Sequence, residues 1–109
     1  MDGNVNNKRK SDRILTDIKV LFLCDHFQHA GTASNCSDTG MCITTPQYIP
    51  CEDHIGITIS LEEDKEECNL SARIRRIVRR NDSHDTLGVE LLNPPQEYTD
   101  YLDSLRSLL

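Results

Sequence analysis

Two short segments carry residue types whose spacing suits ligand binding. Arg9-Lys10-Ser11-Asp12-Arg13 sets two guanidinium groups four positions apart, and Asn35-Cys36-Ser37-Asp38-Thr39-Gly40 has the spacing N-x-S-x-x-G. An arginine fork can donate to O6 and N7 of guanine, clamp a phosphate, or stack on a base. The Asn35 side-chain oxygen can accept from the N1 and N2 donors on guanine's other edge. The Ser37 hydroxyl can donate to a phosphate oxygen or accept from the base. Gly40, with no Cβ, permits an unusual φ and the close approach of a ligand. A plainer reading stands beside this one: Asn35 and Ser37 stabilise a turn that Gly40 permits. The R-x-x-x-R spacing recurs at Arg75 with Arg79 and at Arg76 with Arg80, whereas N-x-S-x-x-G occurs once. In combination the two segments describe a site for a guanine nucleotide.

The charge distribution bears on such a site. The formal charge is −6, yet ten of the twelve bases fall in two groups. Lys8, Arg9, Lys10, Arg13 and Lys19 form the first, and Arg73, Arg75, Arg76, Arg79 and Arg80 the second. Net acidity argues against indiscriminate binding of nucleic acid, which calls for a basic domain. Each basic group can be a solvated face, or folding can bring the two together into one anion site. Lys8, Lys10 and Arg79 are the secondary candidates for contact with an anion.

Other chemistries find less support. Cys24, Cys36, Cys42, Cys51 and Cys68 are odd in number and irregularly spaced, with no C-x-x-C pair, so neither a disulfide framework nor a zinc finger is indicated. His26, His29, His54 and His84 miss the H-x-x-x-H and H-E-x-x-H spacings; Cys24, His26 and His29 are the one conceivable metal group, and no metal is expected. The cysteines fit a reducing cytosol. No nucleophile elbow, P-loop or acid pair appears, so an enzyme is not expected.

The elements that position these residues come from one small domain of 109 residues, 12.4 kDa, with 37% apolar and 28% charged residues. The longest apolar run, Val20 to Cys24, is far short of a membrane span, and no secretory signal is visible. Residues 1–7 read as a flexible N-terminus. Alternation of Ile18, Val20, Phe22 and Cys24 predicts a strand, and Gly31 to Gly40 reads as a small, polar turning segment. Met41 to Thr45 is a short strand, and Ile55, Ile57, Ile59 and Leu61 give the clearest strand signal. The acidic stretch Glu62 to Glu67 reads as a hairpin tip. Leu70 to Arg80 is a strand whose alternation puts Arg73, Arg75 and Arg79 on one side and Ala72, Ile74 and Val78 on the inner one, while Arg76 and Ile77 fall on the wrong faces, which predicts a bulge. Asn81 to Asp85 turns into a last strand at Leu87, Val89 and Leu91. Tyr98, Tyr101, Leu102, Leu105, Leu108 and Leu109 then recur at helical spacing, with Asn93 and Gln96 at capping-box spacing and Pro94 at the first helical position. Five or six antiparallel strands and one amphipathic helix follow, the sheet curled into a small barrel with the helix as its lid. A partner-binding role for the helix stripe is the alternative.

The R-x-x-x-R at Arg9 and Arg13, followed by [D/N]-x-S-x-x-G at Asn35, Ser37 and Gly40, resembles the signature of a PilZ domain. The downstream order agrees, with Thr45-Pro46 after a strand, a hairpin pair, Leu87-Gly88-Val89-Glu90-Leu91, and a Pro-led helix. The resemblance covers residues 8–109. It implies an all-β fold with a C-terminal helix: a binding arm at 8–16, a six-stranded antiparallel β-barrel at 17–92 and a helix at 94–109. It also implies a cytoplasmic, bacterial receptor for the second messenger cyclic di-GMP that needs no cofactor and signals to a protein effector. Arg9 and Arg13 would hold guanine and phosphate, and Asn35, Ser37 and Gly40 would complete the pocket. An adaptor of the same fold that does not bind the nucleotide is the alternative. Two departures from the usual pattern stand out: Asn35 replaces the common Asp, and Lys8 stands where a further arginine often precedes the motif.

Overall fold

The computed structural model describes residues 13–24, 26–46, 53–60, 67–80 and 84–108. Six strands and one helix follow in order: β1 (Ile14–Cys24), β2 (Phe27–Cys36), β3 (Gly40–Thr45), β4 (His54–Ser60), β5 (Glu67–Arg80), β6 (His84–Leu92) and α1 (Gln96–Ser107). The strands close into a barrel in the order β1-β2-β3-β6-β5-β4, and every neighbouring pair is antiparallel.

Alternation along the chain becomes inside and outside. Val20, Phe22 and Cys24 of β1, Ile55, Ile57 and Ile59 of β4, and Leu87, Val89 and Leu91 of β6 all point into the core. Burying about twenty such side chains removes apolar surface worth roughly 25 cal/mol per Å2 from water, which opposes the chain's conformational entropy. Helix α1 contributes Tyr98 and Leu102 to the same cluster, with Tyr101 and Leu105 half-buried against it. The helix stripe thus faces its own barrel.

Four expectations need correction. Gly31 to Cys36 is not a turn but the second half of β2. Its small residues hid the pattern, and they are small because the barrel wall is tight there: a Cβ on Gly31 would sit 2.9 Å from both Ile43 Cγ2 and the Thr44 carbonyl oxygen. β1 begins at Ile14, so residues 14–16, expected in the arm, run in the barrel; buried Ile14 pairs with Cys36. The bulge in β5 falls between Ile74 and Arg76, as the misplaced faces suggested. It turns Ile77 inward and leaves Val78, expected inside, on the surface. Finally, there is no capping box. The N-cap is Pro95 at φ −72 and ψ 159, with no side-chain cap, because a proline drives its predecessor Pro94 out of the helical region. Asn93 instead takes a left-handed φ of 49, where the chain leaves β6, and Gln96 donates sideways to Asp100 at 2.9 Å. The acidic tip at 62–66, the segment 81–83 and the arm residues Lys8, Arg9 and Lys10 lie outside the described residues.

Two glycines offer a test of this packing. Gly31→Ala should destabilise the protein by about 1–3 kcal/mol through overpacking. Gly56→Ala, whose Cβ meets nothing within 4 Å, should be neutral or stabilise by up to about 1 kcal/mol. Thermal melts of the two variants check the contrast, and equal losses would contradict the wall geometry.

Candidate functional site

The second motif is built from a bulged strand and a self-braced turn. Register slips twice beside Asn35: between Leu15 and Ile18 on the β1 side, and between Ala33 and Asn35 on the β3 side. Thr16 Oγ1 fills the first irregularity by donating to the Ala33 carbonyl at 2.7 Å. Bulges re-aim side chains, and Asn35 here meets Arg13, whose Nη1 donates to Asn35 Oδ1 at 2.8 Å. One member of each motif is therefore joined by a direct hydrogen bond. Asn35 is uncharged, so it holds the fork without cancelling its charge.

Ser37 and Gly40 close the turn that follows. The Ser37 N–H donates to the Gly40 carbonyl at 2.8 Å. In return the Ser37 hydroxyl accepts from the N–H groups of Gly40 at 3.1 Å and Thr39 at 3.3 Å. Ser37 is buried, and its hydroxyl is taken up by the turn. Gly40 needs no unusual φ, since none of the described glycines has a positive one. What it requires is proximity: a Cβ there would lie 2.7 Å from the Val89 carbonyl oxygen of β6 and 3.5 Å from Arg13 Nη2.

The helix grips the same turn from behind. Tyr98 donates its hydroxyl hydrogen to the Ser37 carbonyl at 2.9 Å, and Arg106 pairs with Asp38 at 3.1 Å with both side chains largely shielded. Burial, with Cys36 close by, pushes the Tyr98 phenol far above its usual range and keeps it a neutral donor. Burial likewise raises the Cys36 and Cys68 thiols, so at neutral pH they remain protonated and unreactive. Among the described residues no three of His, Cys, Asp and Glu are grouped as metal ligands.

A cleft of about 420 Å3 opens beside the turn, with Arg13 and Gly40 on one side and Arg75, Arg76 and Glu90 on the other. Its size falls within the roughly 300–1,000 Å3 of small-molecule sites. The two basic groups of the sequence thus converge here. Arg75 Nη1 lies 3.5 Å from a Glu90 oxygen with both groups half-exposed, a weak pairing in solvent. The sequence places Arg75 and Arg76 in the second basic group but singles out only Arg79 of that group as a candidate, although the displaced faces around Arg76 are a usable signal. Arg79 is not part of this cleft: it lies 3.6 Å from Asp85, five residues along β6 from Glu90, or roughly 17 Å at ~3.4 Å per residue.

A second cleft of about 420 Å3, more apolar in lining, runs over β1, β2 and β4 between Lys19, Leu21, Ala30 and Thr58. It contains none of the motif residues.

Comparison with known proteins comes to the same fold. The family model described as PilZ domain matches residues 7–107. No curated protein sequence matches the chain. Among solved structures, the Bacillus subtilis inhibitor of motility (MotI/DgrA) superposes with a TM-score of 0.70 at 16% identity. The match covers 91% of this chain and 48% of that one, so the chain spans about half the length of that protein.

Tyr98→Phe tests the brace between helix and turn. It should cost about 1–3 kcal/mol by leaving a buried carbonyl without its donor. The raised phenol and thiol groups also set a pH dependence. They deprotonate in the unfolded chain before they do so in the folded one, so stability holds below about pH 8.5 and falls above about pH 9–10. Denaturant unfolding from pH 6 to pH 11 should show this decline, made shallower by Tyr98→Phe.

Proposed function

The chain belongs to the PilZ domain family, whose members are ligand-binding or adaptor domains, and from that premise we propose that it is a bacterial, cytoplasmic receptor for cyclic di-GMP. The observation that carries this reading is the Arg13–Asn35 hydrogen bond at the mouth of the arginine-lined cleft. It couples the two motifs and leaves an undiminished cation facing an opening of ligand size. Arg13 Nε and Nη2 remain for a phosphate or for O6 and N7 of guanine. Arg9, one helical turn's worth of sequence upstream, supplies the second fork of the arm, and Lys8 and Lys10 add charge around it.

The division of labour among the remaining motif residues follows from their bonds. Asn35 aims Arg13 with its side-chain oxygen, and Asn35 itself does not line the cleft. Ser37 holds the turn, and Gly40 lets the turn lie flat against β6, so these two shape the pocket and present its backbone to the ligand. The domain carries no catalytic apparatus in this reading, and the nucleotide is a signal that leaves unchanged.

Output passes through the turn to the helix. A dianion seated on Arg13 neutralises the arm and orders it against the barrel, and the turn it touches is already bonded to Tyr98 and Arg106 of α1. Ligand occupancy then alters the surface that the arm and the helix present together to a protein effector. An order change of this kind provides the two-state element that a signalling module requires.

Titration calorimetry with cyclic di-GMP, against GTP and cyclic di-AMP, tests the reading. Selective binding at micromolar affinity or tighter is expected. Arg9→Ala and Arg13→Ala should each cost about 2 kcal/mol or more, roughly thirtyfold in affinity, and Arg13→Ala should leave the melting temperature nearly unchanged because Arg13 is exposed and outside the buried core. A folded protein that binds none of the three nucleotides would instead be an adaptor of the same fold.

A further inference from the structure

The cationic cleft accounts for the binding of an anion more readily than for the choice of base. Guanidinium forks grip phosphates whatever base is attached, and N7 is an acceptor in both purines. Guanine differs from adenine on its other edge, where N1–H and N2–H2 donate side by side. Adenine offers a bare N1 acceptor there. A site that selects guanine therefore needs an acceptor at that edge.

Glu90 is the carboxylate on the cleft wall. It pairs across the strands with Gly40 on β3 and with Arg73 on β5. Gly88, two residues earlier on β6, shares its face of the strand, so no side chain stands on two of its sides. Arg76 lies alongside Gly88, with its Nε 3.9 Å from where a Cβ would be. The Arg76 side chain thus lies against Gly88 beside the carboxylate, and its guanidinium is a group on which a base can stack. Arg75 lies 3.5 Å from the Glu90 carboxylate, a nearby cation that offsets part of its repulsion of an incoming dianion.

Resting on the cyclic di-GMP reading, we propose that Glu90, with Arg75 beside it, is the residue that selects guanine, its two oxygens accepting from N1–H and N2–H of one base. A lone carboxylate in a cleft for anions has an unfavourable effect on affinity unless it bonds to the ligand. The selection of base is the benefit that offsets it.

Titration calorimetry of the wild type, Glu90→Ala and Glu90→Gln with cyclic di-GMP and cyclic di-AMP tests this, with thermal melts to confirm folding. The expected result is a preference of the wild type for the guanine ligand that collapses by about tenfold or more in Glu90→Ala, the value of a lost two-point base contact. The loss should come from weaker cyclic di-GMP binding, while cyclic di-AMP binding stays level or tightens as the repelling charge goes. Glu90→Gln, with one acceptor oxygen retained, should fall between. Parallel tightening of both ligands at an unchanged ratio would overturn the proposal and make Glu90 merely a like charge. A wild type that binds cyclic di-GMP and cyclic di-AMP equally would overturn it as well, with the receptor reading surviving for cyclic dinucleotides in general. A wild type that binds neither would overturn the receptor reading itself.

Discussion

The turn from Ser37 to Gly40 is held from three directions, and most of what positions the site depends on that. From within, the Ser37 hydroxyl and N–H engage Gly40. From the barrel, the Leu91 N–H donates to the Thr39 carbonyl at 2.9 Å, and the bare Cα of Gly40 lets the Val89 carbonyl approach. From the helix, Tyr98 reaches the Ser37 carbonyl and Arg106 reaches Asp38. Such a turn has little freedom of its own, so anything bound against it meets a preorganised backbone. The strands on either side inherit that rigidity: Asn35 precedes the turn by two residues, and Gly40 opens β3.

Irregular pairing does the rest of the positioning. Three register slips, at Leu15/Ile18, Ala33/Asn35 and Ile74/Arg76, lie on the strands that surround the cleft. A regular barrel would alternate inward and outward side chains along each strand, with adjacent residues on opposite faces. The slip at Ile74/Arg76 instead leaves Arg75 and Arg76, neighbours in sequence, both on the outside of the wall. It also restores the inward phase for Ile77, so the core below is not interrupted. Bulges concentrate at barrel rims and beside binding sites for this reason.

The sequence disclosed these features unevenly, and the physical reasons differ by element. β4 was plain because Ile55, Ile57 and Ile59 alternate with small or polar partners across a half-buried strand. The β5 bulge was legible from a mismatch of faces, and its consequence for Val78 was not, because the slip occurs before Arg76 rather than after it. β2 was missed because its packing is decided by closeness rather than by apolar bulk, and Gly31 and Ala33 leave no hydrophobic signal. Asn93 and Gln96 had the right spacing for a cap, and Pro95 overrode it through the conformation it imposes on Pro94. The two motifs were legible as types and spacings. That Arg13 bonds Asn35, and that Arg75 joins Arg13 while Arg79 does not, are facts of cross-strand register. Register sums the contributions of every strand between, and no local pattern encodes it.

The choice of amide at Asn35 fits the electrostatics of the whole protein. A chain of net charge −6 repels a dianion at long range, but at physiological ionic strength that field fades over about 8 Å. Attraction must therefore come from cations at the cleft itself. A carboxylate at position 35 would form an ion pair with Arg13 and partly cancel the charge that Arg13 presents to the cleft. The amide keeps the aim of the hydrogen bond and leaves the full charge in place. Arg75 is treated differently, since it already faces Glu90 across the strand pair. The cleft thus holds one fork braced by a neutral group and another by an acid. The first is suited to an anion, and the second presents donor and acceptor side by side, as the edge of a base does.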